Sequence, residues 1–339
     1  MNATGHDEDV ERMALDVAEA VRDAVAPSLG SASARARVGV APGGDVTMAI
    51  DEIAERVVEE HLSAAGHIAY YSEDRGLVSY GQPRAILVID PIDGTRPAAA
   101  GLESCCVSIA VVPPSHEATL GDVAFGVVHE IKTGIRFSAR RSGGAVIEAP
   151  GGVRVDARPS ANADLRSLFW TAGLRGRPVM PVSVVLEELI DGSTMGGGYF
   201  DLGSATFNMT RLVTGQLDAY VDVGRRLIDE MPETEAAFRA VGEGSVCTNF
   251  PYDVAAAALV VQEAGGVVTM ADGGPIDAHP AVGSGDGYGI AVLASATPAL
   301  HDLILEVVDR GMLRLREWLA AGKTGSGHAG GPGVREGAS

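Results

Sequence analysis

The chain contains 339 residues, of which 46% are hydrophobic and 21% are charged, and it carries a formal net charge of −19. This charge argues against nucleic acid and anionic membranes as partners. Three cysteines are too few for a disulfide framework, and no apolar run approaches the roughly 20 residues of a membrane-spanning helix. Because the segment after Met1 also lacks a signal-peptide pattern, we expect a cytoplasmic globular protein of about two domains.

The first half of the sequence predicts helices followed by a run of strands. Val10, Met13, Val17 and Val21 recur at helical spacing, and two helices are predicted at residues 8–26 and 51–66. Strands are predicted at residues 68–71, 85–89, 104–112, 123–129 and 134–139.

The second half alternates between helical and strand patterns after a boundary marked by Gly151, Gly152 and Pro159. Helices are predicted at residues 205–213, 254–264 and 297–320, and strands at residues 217–223 and 288–294. The glycine-rich residues 322–339 are expected to be disordered. The predicted division is a first domain at residues 1–158 and a second at residues 159–321.

The clearest chemical signal follows the predicted strand at residues 85–89 and reads Asp90-Pro91-Ile92-Asp93-Gly94-Thr95. Two carboxylates at the end of a strand can converge on a hard cation such as Mg²⁺. Free N–H groups at the start of a following helix would hold a phosphate. The same residues also suit a surface turn, and composition alone leaves both interpretations open.

Two other acidic motifs do not fit this segment. An EF-hand loop needs carboxylates at alternate positions and a glutamate at its twelfth position, where this chain has Gly101. Haloacid-dehalogenase-type phosphatases carry Asp-x-Asp-Gly-Thr, and the additional residue between Asp90 and Asp93 would move the second carboxylate off the attacking face. A covalent aspartyl-phosphate route is therefore not expected.

Two further acidic segments stand at the ends of predicted elements. Glu73, in Ser72-Glu73-Asp74, follows a strand, and Asp253, in Tyr252-Asp253-Val254-Ala255-Ala256, begins a helix. Taken alone, Glu73 is typical of a solvated loop acid, and Asp253 is typical of a helix N-cap.

Together these segments resemble the inositol monophosphatase superfamily, a group of magnesium-dependent, lithium-sensitive phosphatases, in order and spacing over roughly residues 10–300. The early aspartate of that family matches Asp51. Further matches are Gly143-Gly144-Ala145, Gly203-Ser204-Ala205 and Leu217-Asp218-Ala219-Tyr220. The resemblance implies an α+β fold, a two-domain layered αβαβα sandwich with the site between the domains and Asp253 in the second one.

The resemblance also implies roles for individual residues. Two or three Mg²⁺ ions, which Mn²⁺ could replace, would be bound by Glu73, Asp90, Asp93, Asp253 and the backbone carbonyl of Ile92. Glu73 and Thr95 would activate a water, with Asp51 supporting Thr95. The N–H groups of Gly94 and Thr95 would hold the phosphate. Substrate contacts would come from Asp93, Gly203, Ser204, Ala205, Asp222, Arg225 and Arg226.

Several departures from the family pattern concern the substrate. Tyr252 replaces the usual tryptophan, and Asp222 stands where inositol-specific members often carry a glutamate, which favours the archaeal-type inositol monophosphatase/fructose-1,6-bisphosphatase-like branch. An insertion between Gly224 and Tyr252 is either a surface excursion or a lid or specificity element. Within it, Arg225 and Arg226 either hold a second phosphate or form a solvated pair.

The expected function is that of a magnesium-dependent phosphomonoesterase for a small sugar or cyclitol phosphate, either inositol 1-phosphate or fructose 1,6-bisphosphate or both. Two alternatives stay open: another small substrate, such as adenosine 3′,5′-bisphosphate or histidinol phosphate, and a non-catalytic relative that binds a metabolite. Members of the family commonly form homodimers, and this resemblance is the only reason to expect a homodimer here.

Overall fold

The computed structural model describes residues 3–325. The first part of the chain forms helices α1 (Ala3–Val25), α2 (Ala49–Ala65) and α3 (Thr95–Ala100). Its strands are β1 (Arg37–Val40), β2 (Val46–Met48), β3 (Ala69–Ser72), β4 (Gly76–Ser79), β5 (Ile86–Asp93), β6 (Cys106–Val112), β7 (Phe125–Glu130), β8 (Arg136–Arg140), β9 (Gly144–Ala149) and β10 (Val153–Val155). Strands β1 and β2 form a hairpin, and the other eight form one sheet in the order β10-β9-β8-β7-β6-β5-β3-β4.

The second part of the chain forms helices α4 (Val179–Ser193), α5 (Ala205–Val213), α6 (Gly224–Glu230), α7 (Glu235–Val241), α8 (Pro251–Glu263) and α9 (Pro298–Gly325). Its strands are β11 (Phe169–Ala172), β12 (Gly198–Phe200), β13 (Ala219–Asp222), β14 (Val267–Met270) and β15 (Val292–Ser295). They form a second sheet in the order β12-β11-β13-β15-β14, in which β11 is parallel to both of its neighbours.

Three hydrophobic clusters join the layers. Helices α1 and α2 cover the outer face of the first sheet through a cluster that includes Val17 and Leu87. Helices α5 and α8 lie between the sheets, in a cluster that includes Leu259 and Tyr220. Helices α4 and α9 cover the second sheet, where Trp170 is buried. This alternation confirms the predicted α+β class and its αβαβα layering.

A bulge at the end of β5 brings its two aspartates to the same side of the sheet. Asp90 pairs with Ser108 and Asp93 pairs with Cys106, so three steps along β5 match two steps along β6. Regular alternation would place residues three apart on opposite faces, and an additional residue in one strand reverses that relation. Both aspartates therefore face the layer between the sheets.

Most predicted elements are present, with shifted ends. Helix α8 begins three residues before its predicted start, so Asp253 is the third residue of its first turn and not the N-cap; the N-cap is Phe250. The predicted strand at residues 288–294 is shorter, because only Val292–Ser295 joins the sheet.

The ends of the chain also differ from expectation. Helix α9 continues to Gly325, so the tail predicted from residue 322 begins inside a helix, and residues 326–339 lie outside the described residues. The predicted domain boundary falls between β10 and β11 and stays a prediction. Within residues 3–325, no helix is long and apolar enough to cross a membrane.

Candidate active site

Carboxylates from three separate segments meet between the two sheets. Carboxylate oxygens of Asp90 and Asp93, at the end of β5, and of Asp253, in the first turn of α8, all lie within 4.8 Å of one another. Glu73, from the loop after β3, lines one cleft together with Asp93 and Asp253. The segments that resembled a family signature are thus neighbours in space.

Burial and mutual repulsion make this cluster electrostatically unfavourable on its own. Burial is the main cause that raises the pKa of all four carboxyl groups, and it brings the pKa of Asp253 to about 7. The charges of Glu73, Asp93 and Asp253 raise the pKa of Asp90 further. A divalent cation would stabilise the ionised carboxylates, and an all-oxygen set of ligands suits a hard cation.

Each aspartate is fixed by a hydrogen bond that orients its carboxylate. Asp90 accepts from the N–H of Ile92 at 2.9 Å, and Asp253 accepts from the N–H of Phe250 at 2.6 Å. Asp93 accepts from the Ser204 hydroxyl at 2.8 Å and from the N–H of Thr206 at 2.5 Å. The start of α5 therefore orients a carboxylate of the first sheet.

Two acidic residues of helix α2, one turn apart, form hydrogen bonds with residues next to the cluster. Asp51 accepts from the N–H of Met48 at 2.7 Å and hydrogen-bonds to Thr95, and burial raises its pKa to about 7. The Thr95 hydroxyl is 3.2 Å from the carbonyl oxygen of Ile92, to which it donates. Glu55 accepts from the N–H of Asp74, next to Glu73, at 3.3 Å.

Gly94 begins the short helix α3 in a conformation that favours glycine. Its φ of 93° lies in the left-handed region, and a Cβ atom there would stand 2.3 Å from the Ser104 carbonyl oxygen. This tight turn sets the start of α3 beside the carboxylates. Phosphate binding by the N–H groups of Gly94 and Thr95 stays a prediction.

The second sheet forms the opposite wall of the cleft. Gly203, Ser204 and Ala205 line it, as the family resemblance implied. Ser204 also caps α5 by accepting from the N–H of Phe207 at 3.0 Å.

Three residues expected to contact substrate do not line this cleft. Asp222 is fully buried, forms an ion pair with Arg177, and accepts from the N–H of Gly224 at 2.8 Å. Arg225 pairs with Asp229 on α6.

Arg226 likewise has partners outside the cleft. Its guanidinium donates to Glu230, to Asp309 and to the carbonyl of Ala271. Since these intramolecular partners engage both arginines, the expected second-phosphate role of Arg225 and Arg226 has no support in their placement.

The arginines that do line the cleft are Arg175 and Arg177, which the sequence analysis missed. They follow β11, and the end of a parallel strand is a common place for ligand-binding loops. The sequence could have indicated these two arginines only if residues 169–172 had been predicted to form a strand parallel to β13.

The insertion after Gly224 is both a packed excursion and a wall of the cleft. Its helices α6 and α7 bury Leu227 and Phe238 against the second sheet. Its returning segment lines the cleft through Cys247, Thr248, Asn249 and Phe250. A role of this returning segment in specificity stays a prediction.

Comparisons with known proteins agree with this architecture. A model of the inositol monophosphatase family matches residues 6–312. A Methanothermobacter thermautotrophicus protein named fructose-1,6-bisphosphatase/inositol-1-monophosphatase is 27% identical over 306 residues, which cover 88% of this chain and 95% of the relative. Human inositol monophosphatase 1 is 27% identical over 239 residues, which cover 69% of this chain and 74% of the relative.

A solved structure has the same fold at lower sequence identity. The extragenic suppressor protein SuhB from Bartonella henselae aligns with a TM-score of 0.67 at 19% identity, over 89% of this chain and 99% of that one. Since the family model matches nearly the whole of the sequence, this chain belongs to the inositol monophosphatase family.

Proposed function

We propose that this protein is a magnesium-dependent phosphomonoesterase acting on a small sugar or cyclitol phosphate, namely inositol 1-phosphate or fructose 1,6-bisphosphate or both. The observation that carries the proposal is the convergence of Asp90, Asp93 and Asp253 within 4.8 Å, with Glu73 in the same cleft. An acidic protein can accept a phosphate there because bound cations invert the local charge.

In this proposal the four carboxylates would hold Mg²⁺, and the bound ion would supply neutralisation of the phosphate charge and polarisation of an attacking water. Glu73 would accept the proton of that water, Thr95 would orient the water, and Asp51 would hold Thr95 in place through their hydrogen bond. The N–H groups at the start of α3 hold the phosphate. The residues thus contribute mainly positioning and charge, which is what phosphoryl transfer requires.

The opposite wall holds the non-reacting part of the substrate. Ser204 and Ala205, at the start of α5, line the cleft together with Glu73, Asn249 and Arg175. Small-molecule sites commonly combine a few polar groups of this kind with an enclosed volume.

The test is phosphate release from a panel containing inositol 1-phosphate, fructose 1,6-bisphosphate, adenosine 3′,5′-bisphosphate and histidinol phosphate. Activity should vanish on chelation and return with Mg²⁺ or Mn²⁺ but not with Zn²⁺. The family resemblance adds the expectation of lithium inhibition. Phosphate release only from adenosine 3′,5′-bisphosphate, or only from histidinol phosphate, would show that the proposed substrate class is wrong.

An inactive variant and an exposed control variant show whether the released phosphate comes from this site. Asp93→Asn should abolish release, and Asp191→Asn, which changes an exposed aspartate on α4, should not. If no substrate is hydrolysed by the wild type with either metal, the protein is a non-catalytic relative and the proposal is wrong.

A further inference from the structure

Two buried hydroxyl groups hold the first turn of α8, the turn that carries Asp253. The Ser108 hydroxyl donates to the carbonyl oxygen of Tyr252 at 3.1 Å, and the Thr206 hydroxyl donates to the carbonyl oxygen of Asp253 at 2.8 Å. Both side chains are buried. A carbonyl oxygen has two lone pairs, so these bonds add to the helical bonds of the same turn. We call Ser108 and Thr206 the hydroxyl clamp.

Each member of the hydroxyl clamp is also joined to one aspartate of β5. Ser108 lies opposite Asp90 in the pairing of β6 with β5, and opposed residues of neighbouring strands point to the same face. Thr206 donates its backbone N–H to the carboxylate of Asp93 at 2.5 Å. The clamp therefore connects the start of α8 to both aspartates, through β6 on one side and through α5 on the other.

The carboxylate of Asp253 moves with the turn that the clamp holds. It accepts from the N–H of Phe250 at 2.6 Å, within the same turn. Burial and then the charge of Asp93 raise the pKa of Asp253, so the ionised carboxylates of these two aspartates repel each other. This repulsion favours a wider separation of α8 from β5, and the two hydroxyl bonds oppose it.

We propose that the hydroxyl clamp positions the metal site, because it holds Asp253 within reach of a cation shared with Asp90 and Asp93. The inference rests on the proposed function in one respect, namely that these carboxylates bind a divalent cation. Both hydroxyls donate to backbone carbonyls, so they act on the cation through the position of Asp253. With the clamp in place, a cation need not draw α8 towards β5 in order to bind.

The test is a calorimetric titration of Mg²⁺ into the protein without substrate. Thr206→Val keeps the backbone N–H and the branched shape of the side chain but removes the hydroxyl. It should raise the Kd for Mg²⁺ about tenfold, the lower end of effects from residues behind metal ligands. Thr206→Ser restores the hydroxyl and should bind Mg²⁺ as tightly as the wild type does. Ser108→Ala should also raise the Kd, and the double variant Ser108→Ala/Thr206→Val should bind more weakly than either single variant.

Another buried threonine of α5 provides the matched control. The Thr210 hydroxyl donates to the carbonyl oxygen of Phe207 at 2.9 Å, so its acceptor belongs to α5 itself. Thr210→Val should lower the Tm in chelator, as Thr206→Val should, but it should leave the Kd for Mg²⁺ unchanged. If the two valine variants change the Kd equally, or if neither changes it, the Thr206 hydroxyl serves only stability and the inference is wrong.

Because the titration needs no substrate, it separates this inference from the proposed function. A wild type that binds Mg²⁺ with the predicted dependence on Thr206 but hydrolyses no phosphate would refute the proposed function and leave the clamp in place. Phosphate release by the wild type, together with an unchanged Kd in Thr206→Val, would refute the clamp alone. A wild type that binds neither Mg²⁺ nor Mn²⁺ would contradict both.

Discussion

Arg177 and Asp222 form a buried ion pair that joins the ends of two neighbouring parallel strands, β11 and β13. Asn249, from the returning segment of the insertion, accepts from Arg177 at 3.1 Å and donates to Asp222 at 3.0 Å. It also donates to the Tyr220 hydroxyl at 3.1 Å. The insertion is therefore tied to the core of the second sheet through charged and polar side chains.

This network predicts a large loss of stability in Asp222→Ala. Removing one member of a buried ion pair leaves the other charge unpaired, which typically costs about 3–5 kcal/mol. Urea unfolding should show that loss, and Asp191→Ala, an exposed control, should change the free energy of unfolding by less than about 0.5 kcal/mol. A normally stable Asp222→Ala protein with a raised KM would instead support the substrate contact that the sequence suggested.

Asp90→Asn should separate metal binding from folding. Loss of one ligand should lower kcat by at least about a hundredfold, equivalent to about 2.7 kcal/mol. In chelator the variant should be as stable as the wild type or more so, because the substitution removes one of four mutually repelling carboxylates, while Mg²⁺ should raise its Tm less than it raises that of the wild type.

Acid quenching during turnover distinguishes direct attack by water from a covalent aspartyl-phosphate route. Rapid acid quenching of the wild type during turnover should trap no phosphorylated protein, since water is the proposed nucleophile. A stable phospho-aspartate on Asp90 or Asp93 would contradict that route.

Glu55 is expected to position Glu73 without contacting the metal. Its carboxylate is fully buried, accepts from the N–H of Asp74, and has a pKa raised to about 7 by burial. Glu55→Ala should raise the Mg²⁺ concentration for half-maximal activity by about tenfold, the lower end of effects from residues behind metal ligands. Glu55→Gln keeps an acceptor and should have a smaller effect, and Glu59→Ala, on the exposed side of α2, should have none.

The buried side chain of His129 should make the folded protein less stable in acid. Burial, then the charges of Arg136 and Arg22, lowers its pKa to about 4 from an ordinary 6.5. The unfolded chain therefore binds a proton more readily than the native state does, so stability falls as pH decreases from 6.5 towards 4 and does not change from this cause above 6.5. The effect is on the order of 3 kcal/mol.

The comparison with His129→Gln isolates this effect from other titrating groups. Between pH 7 and pH 4.5 the wild type should lose more free energy of unfolding than the variant does. Parallel pH profiles for the two proteins would show that His129 does not carry the predicted linkage.

We expect a homodimer, and the edge of the second sheet offers one surface on which to test it. Phe200 on the edge strand β12 is 40% exposed and stacks on Phe169, which is 44% exposed. Light scattering should give twice the monomer mass at micromolar concentration, and Phe200→Glu should reduce it, because charges are depleted in the centre of interfaces. A monomeric wild type would refute the expectation of a dimer.

Much of the site could be predicted from the sequence because its chemistry is carried by short local segments. The order and spacing of Glu73, Asp90, Asp93 and Asp253 resemble the signature of one family, and that resemblance predicted the acidic cluster. Periodicity also located helices α1, α2 and α9, since one buried face repeats along each of them. Helices α5 and α8 were also predicted, but nearly all of their residues are buried. The layered fold followed from the resemblance of these segments to one family.

Only the tertiary structure decided which polar residues reach the cleft. Asp222, Arg225 and Arg226 were expected to contact substrate, yet each pairs with another side chain of the protein. Arg175 lines the cleft together with Asp45, although the two residues are more than a hundred positions apart in the chain. The physical reason is that a local sequence pattern determines which face of a single helix or strand is buried. The contacts between residues distant in sequence depend instead on the order and register of the strands. The bulge that brings Asp90 and Asp93 to one side is likewise set by pairing with β6.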